Sequence, residues 1–169
     1  MLITHEEIDE AISSMHNRKS PGSDGLVVEL FKNSNKIIIP KLYILFNNIM
    51  NSGISPGEWG KALICTLHKD ESLNNPKYYR GISILKITSK LFTKIIDERL
   101  ITWAENQHVY KEEQAGFRKG YSTIDQIFNL IIMCRKYLSK NKGRFYAGFI
   151  DFSSAFDGIC HNLLFHQLM

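Results

Sequence analysis

Apolar positions recur first at helical spacing. Ile8, Ala11, Ile12 and Met15 stand at i, i+3, i+4 and i+7 within residues 5–16, behind Thr4 with Glu7 three residues on. That capping-box pattern predicts an amphipathic helix. Lys19-Ser20-Pro21-Gly22-Ser23-Asp24-Gly25 interrupts it, and Ser23 or Asp24 can cap a second helix from about Gly25 to Lys32. A third is predicted over roughly residues 36–51, with Ile38, Leu42, Leu45, Phe46, Ile49 and Met50 on one face, Pro40 in its first turn and Gly53 near its end.

Between Trp59 and Leu85 the period shortens. Residues 62–67 and 81–85 are short and rich in β-formers, and the polar stretch 68–80 between them holds Asn75-Pro76, so a long β-hairpin is predicted. Helical spacing returns with Leu91, Ile95, Ile96 and Leu100. After a polar break at residues 105–113 it appears again with Ile124, Ile127, Phe128, Ile131 and Leu138, behind a Ser122 or Thr123 cap. Phe145-Tyr146-Ala147-Gly148-Phe149-Ile150-Asp151-Phe152 is apolar on both alternating faces and predicts a central strand covered on both sides, yet it contains a carboxylate, Asp151.

Composition bounds this picture. With 169 residues, 44% hydrophobic and 22% charged, the chain is globular rather than disordered or fibrous, and one domain or part of one is expected. Repeats, low-complexity tracts and linkers are absent from the sequence, so no boundary is predicted. Net charge is +4 and uneven: residues 1–60 hold 5 basic and 7 acidic groups, residues 61–169 hold 16 and 10. The resulting +6 is compatible with a polyanionic partner without establishing one. No apolar run reaches a membrane span and the start lacks a signal-peptide layout, so a soluble intracellular protein is expected, its compartment open between nucleus and cytoplasm. Cys65, Cys134 and Cys160 are odd in number and widely spaced, which favours core thiols over disulfides or a zinc site.

Three places carry candidate chemistry. A carboxylate at the end of a buried strand must be paired, hydrogen-bonded or coordinated, so Asp151 is either a metal ligand or a capped structural residue. Lys69 and Arg80 flank the hairpin loop and could grip phosphates, Arg through a bidentate fork and Lys as a point charge; solvated loop charges are the alternative. Gln114-Ala115-Gly116-Phe117-Arg118-Lys119-Gly120-Tyr121-Ser122-Thr123 joins two aromatics and two bases to two glycines ahead of a helix. That suits backbone contact with a nucleic-acid strand plus base stacking, or an ordinary turn before a helix. Residues 19–25 lack the order of a nucleotide-binding P-loop.

Taken in order, five stretches resemble the front half of the reverse transcriptase domain of non-LTR (LINE-like) retrotransposons. They are residues 19–25 with Glu29-Leu30-Phe31-Lys32; Trp59 through Leu67-His68-Lys69; Tyr79-Arg80-Gly81-Ile82-Ser83-Ile84-Leu85 with Ser89-Lys90; residues 114–120; and Phe149-Ile150-Asp151-Phe152-Ser153-Ser154-Ala155-Phe156-Asp157.

The resemblance implies an α+β fold, the fingers and start of the palm of a right-hand polymerase, in a truncated form that is helix-rich with a long β-hairpin and a central palm strand. Residues 1–144 would be mainly fingers and 145–169 the start of the palm of one partial reverse transcriptase domain. It implies RNA-directed DNA polymerase (nucleotidyltransferase) chemistry by two-metal phosphoryl transfer, with Mg²⁺, an RNA template, a DNA primer and dNTP. Asp151 would be the first palm carboxylate and Mg²⁺ ligand. Arg80 and Lys69 would hold the triphosphate, and Phe156 would be the steric gate against a 2′-hydroxyl. Gln114, Gly116, Phe117, Arg118 and Lys119 would lie along the template and nucleotide pocket. Ser154, Gly158 and Cys160 depart from the family pattern outside that chemistry. The remaining carboxylates of the family come from a Tyr-x-Asp-Asp turn, and this sequence holds no Asp-Asp pair. The expectation is therefore a chain inactive alone, its remaining palm, thumb and endonuclease carried by a longer product. A non-catalytic RNA or RNA–DNA binding module and a non-functional relic fragment are the alternatives.

Overall fold

Thr4 starts the fold as its spacing predicts. Its Oγ1 accepts from Glu7 N at 3.2 Å and Glu7 Oε2 accepts from Thr4 N at 2.8 Å, opening α1 (His5–Ser14). The computed structural model describes residues 2–69, 72–140, 143–152, 155–156 and 158–168. The chain divides into two units, residues 1–110 and 111–169.

In the first unit α1 is followed by α2 (Val28–Asn33), α3 (Asn35–Ser52), a 3₁₀ turn at Gly57–Gly60, strands β1 (Leu63–His68) and β2 (Tyr79–Ile84), and α4 (Ile87–Asn106). Helix α2 starts later than predicted. Asp24 does not cap it; its Oδ1 accepts from Leu26 N at 3.2 Å, closing a turn instead, and the N-cap Val27 offers no side-chain acceptor. Pro40 lies inside α3, beyond its first turn. The position removes one backbone donor, a loss the long helix bears because its inner face is buried.

The core is a four-helix contact. Ile8 and Ile12 of α1, Val28 and Phe31 of α2, Leu42 and Phe46 of α3, and Ile87, Leu91 and Ile95 of α4 are buried together. Each such side chain removed from water contributes about 1.5–3 kcal/mol. Phe46 meets Phe92 and Trp59 edge-on, with ring centroids 5.4 and 6.2 Å away, which ties α3 to α4 and to the 3₁₀ turn. Asn47 is buried among these apolar groups because its amide is fully used. Oδ1 accepts from Ile3 N at 2.7 Å, and Nδ2 donates to Ile3 O at 3.0 Å and to Tyr43 O at 2.9 Å. The side chain thus pairs with the N-terminal segment as a neighbouring strand would.

Glu7 serves the cap and a second partner. Arg99 of α4 donates from Nε to Oε1 at 2.6 Å and from Nη2 to Oε2 at 2.8 Å, a bidentate pair joining residues 92 apart. This hydrogen bonding, above all from Arg99, holds the Glu7 carboxyl below its usual range of about 4.5, although burial opposes it. A folded-state value below the unfolded one means the pair stabilises at neutral pH and loses that contribution as pH falls through the folded value. Glu7→Gln is therefore expected to lower the melting temperature at pH 7 and to leave a shallower loss of stability on acidification below about pH 4.5 than the parent shows. Equal acid limbs in thermal melts of the two proteins would contradict it.

The second unit contains α5 (Thr123–Leu138) and α6 (His161–Leu168), the latter without a sequence prediction. Ser122 and Asp125 form the capping box of α5, each accepting the other's backbone N–H at 3.2 Å. The predicted central strand is corrected. The described residues 143–152 are in no strand, and Tyr146, Phe149, Ile150 and Phe152 are each more than 70% exposed. Apolar alternation specifies a surface to be covered, but a strand also needs ladder partners, and the one sheet among the described residues holds only β1 and β2. The cysteines are corrected as well: Cys65 and Cys160 are exposed and Cys134 is half-buried, so none is a core thiol. Among the described residues no helix is long and apolar enough to cross a membrane.

Candidate functional site

The hairpin is where two of the candidate cations stand. Its strands pair antiparallel with Leu63 opposite Ile84, Leu67 opposite Arg80 and His68 opposite Tyr79, and Lys69 N donates to Tyr78 O at 2.6 Å, one step past the ladder. Opposed residues share a face and alternate residues share a face. Leu63, Cys65, Leu67, Arg80 and Ile82 therefore occupy one side, and Lys69 continues the row. The ladder thus brings Lys69 and Arg80 together on one face at the loop end. Both are exposed, and among the described residues neither has an acidic partner. Asp70 and Glu71, which follow Lys69, lie outside the described residues.

The opposite face is built differently. Thr66, Tyr79 and Gly81 with Leu73, Asn74 and Pro76 line an open cleft of about 460 Å³ that excludes both cations. Tyr79 closes its loop side by donating to Leu73 O at 2.9 Å and meets His68 edge-on at 5.0 Å. A Cβ at Gly81 would touch Ile64 Cγ2 at 3.4 Å.

In the second unit, residues 114–121 form a tight loop ahead of α5. Gln114 Nε2 donates to Gly116 O at 3.1 Å, and Arg118 Nη1 donates to Lys111 O at 3.0 Å and Gln114 O at 3.3 Å. The Arg118 guanidinium lies 4.3 Å from the centre of the Tyr121 ring. Between them Phe117 takes φ 64°, a left-handed conformation costing about 1–2 kcal/mol for a residue with a Cβ. Its ring is 92% exposed and meets Phe156 edge-on, with centroids 6.2 Å apart and planes at 85°. This contact joins two candidates 39 positions apart, and no local signal in the sequence marks it. Lys119 is exposed beside them.

Asp151 is exposed rather than buried in a strand. Among the described residues no group of three or more His, Cys, Asp or Glu is placed to hold a metal ion. Ser153, Ser154 and Asp157, which flank Ala155 and Phe156, lie outside the described residues. One position that reading the motifs left without a role is Gly22, which is buried against the link from β2 to α4. The Pro-Gly pair marks a turn, but not what the turn packs on.

The described residues thus form a helix-rich α+β chain with a basic hairpin end, an aromatic and basic loop and an exposed carboxylate. Residues 67–169 match the reverse transcriptase (RNA-dependent DNA polymerase) family, and the chain belongs to that family. It is similar to the probable RNA-directed DNA polymerase from transposon BS of Drosophila melanogaster, with 33% identity over 96% of this chain and 18% of that protein. The probable RNA-directed DNA polymerase from transposon X-element of the same species is 30% identical over 92% of this chain and 17% of its own length. The RNA-directed DNA polymerase from mobile element jockey, also of that species, is 26% identical over 98% and 18%. The chain spans less than a fifth of the length of these three relatives.

Proposed function

We propose that this chain is part of a retrotransposon RNA-directed DNA polymerase, with residues 1–144 mainly fingers and 145–169 the start of the palm of a right-hand polymerase. The observation that carries the reading is the extent of the family match. It runs from the hairpin cations through the 114–120 loop to Asp151 and Phe156, so every candidate group falls inside it. The relatives are named RNA-directed DNA polymerases, which supports as the proposed reaction the addition of dNTP to a DNA primer on an RNA template.

In this reading Arg80 and Lys69 hold the triphosphate from the fingers side, which suits two accessible cations on one face of a hairpin. Phe156 packs under the incoming sugar and excludes a 2′-hydroxyl by its bulk. Gln114, Gly116, Phe117, Arg118 and Lys119 contact the template strand and the nucleotide pocket. Asp151 offers a hard, accessible oxygen donor of the kind Mg²⁺ takes. That ion is commonly held by one or two carboxylates together with substrate phosphates and water, so this residue fits part of such a site. When bound, Mg²⁺ stabilises charge on the attacking and leaving oxygens of phosphoryl transfer.

The test is nucleotide dependence in the polymerase polypeptide that carries this segment. With an RNA template and DNA primer, Arg80→Ala is expected to raise the KM for dNTP by about tenfold or more, the loss of one charge-assisted contact of 1.5–3 kcal/mol. An unchanged KM would remove Arg80 from the nucleotide site.

A further inference from the structure

Gly22 is buried at the centre of the 19–25 loop, and the reason is space. A Cβ placed there would come within 2.9 Å of Leu85 O, Lys86 N and Lys86 Cα. All three are backbone atoms, so no rotamer change relieves the contact. Leu85 and Lys86 are the two-residue link between β2, which carries Arg80, and α4, which is rooted in the core. The loop's backbone therefore lies directly on the base of the hairpin.

We propose that the 19–25 loop is a backbone brace for the β1–β2 hairpin, with Gly22 as a positioning residue that fixes the aim of Lys69 and Arg80. The physical question is which side yields when Gly22 gains a methyl group. The loop is pinned at both ends. Arg18 N donates to Glu29 Oε1 at 2.6 Å and Lys32 Nζ to Met15 O at 2.7 Å before it, while Gly25 N closes a turn on Gly22 O at 3.1 Å and leads into buried Val28. Helix α4 is pinned too, by buried Ile87, Leu91 and Ile95 and by the Lys86 ammonium 3.0 Å from Glu58 Oε2.

The hairpin is the soft member. Most of its residues are exposed on both faces, and a two-stranded ribbon is marginally stable without support. Arg80 stands five residues from Leu85, about 17 Å along an extended strand, so a small rotation at the base becomes a large displacement at the cations. The role given to Lys69 and Arg80 rests on the polymerase reading; the bracing does not.

The experiment compares Gly22→Ala with Gly57→Ala, a glycine with open space around its Cβ position. Amide hydrogen exchange in the 169-residue chain reads the ladder amides of Cys65 and Ile82 against the α4 amides of Leu91 and Ile95. Gly22→Ala is expected to speed exchange of the ladder amides by about tenfold while α4 protection holds, and Gly57→Ala to change neither. Unchanged ladder protection would overturn the brace. Loss of α4 protection or of the cooperative melt would overturn it too, because the loop would then support the core rather than the hairpin. Primer extension by the polypeptide carrying the segment separates this from the functional reading. A raised KM for dNTP in both Gly22→Ala and Arg80→Ala supports the two together, whereas a loosened ladder with KM unchanged in both keeps the brace and removes the nucleotide role.

Discussion

Asp151→Asn is expected to lower RNA-templated dNTP incorporation by the polymerase carrying this segment by on the order of 10²–10³-fold or more, with folding intact. The substitution keeps the side chain's size and removes its charge. Stabilising charge that develops in a transition state is the largest single contribution in most enzymes, and losing one well-placed electrostatic partner costs roughly that factor. The carboxylate is exposed, so its neutral isostere leaves no buried group unpaired and the melting temperature stays within about a degree or two. Steady-state incorporation at saturating dNTP, with a melt beside it, checks both halves. Full activity in Asp151→Asn would remove the residue from the chemistry, and an equal loss of folding would make its role structural.

Phe46→Ala is expected to destabilise the first unit by about 3–5 kcal/mol, the range for truncating a fully buried aromatic side chain. Phe46 is 0% exposed and holds both Phe92 and Trp59, so its loss leaves a cavity beneath two elements at once. Domains of this size are stable by only about 5–15 kcal/mol, and such a change takes a large share of that. Phe128→Ala is the matched contrast. Phe128 lies on α5 with 60% of its surface exposed, and its replacement is expected to cost about 0.5 kcal/mol or less. Urea unfolding of the two variants separates them, and comparable losses would contradict the assignment of the core.

What the sequence made legible was local. The Thr4 and Glu7 capping box and the Ser122 cap of α5 each depend on residues three positions apart, the β-rich runs around Asn75-Pro76 are joined by a single turn-rich stretch, and each formed as read. What stayed hidden depends on distant pairs. Asn47 reaches Ile3 across 44 positions, Glu7 reaches Arg99 across 92, and Gly22 lies on Leu85, none with a periodic signature. The 145–152 stretch failed for another reason. Its pattern does describe a segment to be covered on both faces, but periodicity cannot supply the neighbouring strands, and the described residues hold none beside it. Among the site residues, Lys69 and Arg80 were legible only as flanking the hairpin loop; the strand register was needed to put them on one face. The Phe117 contact with Phe156 needed the fold.

Iron-directed cleavage reads out the proposed role of Asp151 in holding a divalent cation against a nucleotide. Fe²⁺ substituted for Mg²⁺ in the polymerase carrying this segment, with dNTP, ascorbate and peroxide, generates hydroxyl radicals at the metal and cuts the backbone beside its ligands. A dNTP-dependent cut next to Asp151 that disappears in Asp151→Asn is the expected result. No cut there, or a cut indifferent to the substitution, would contradict it.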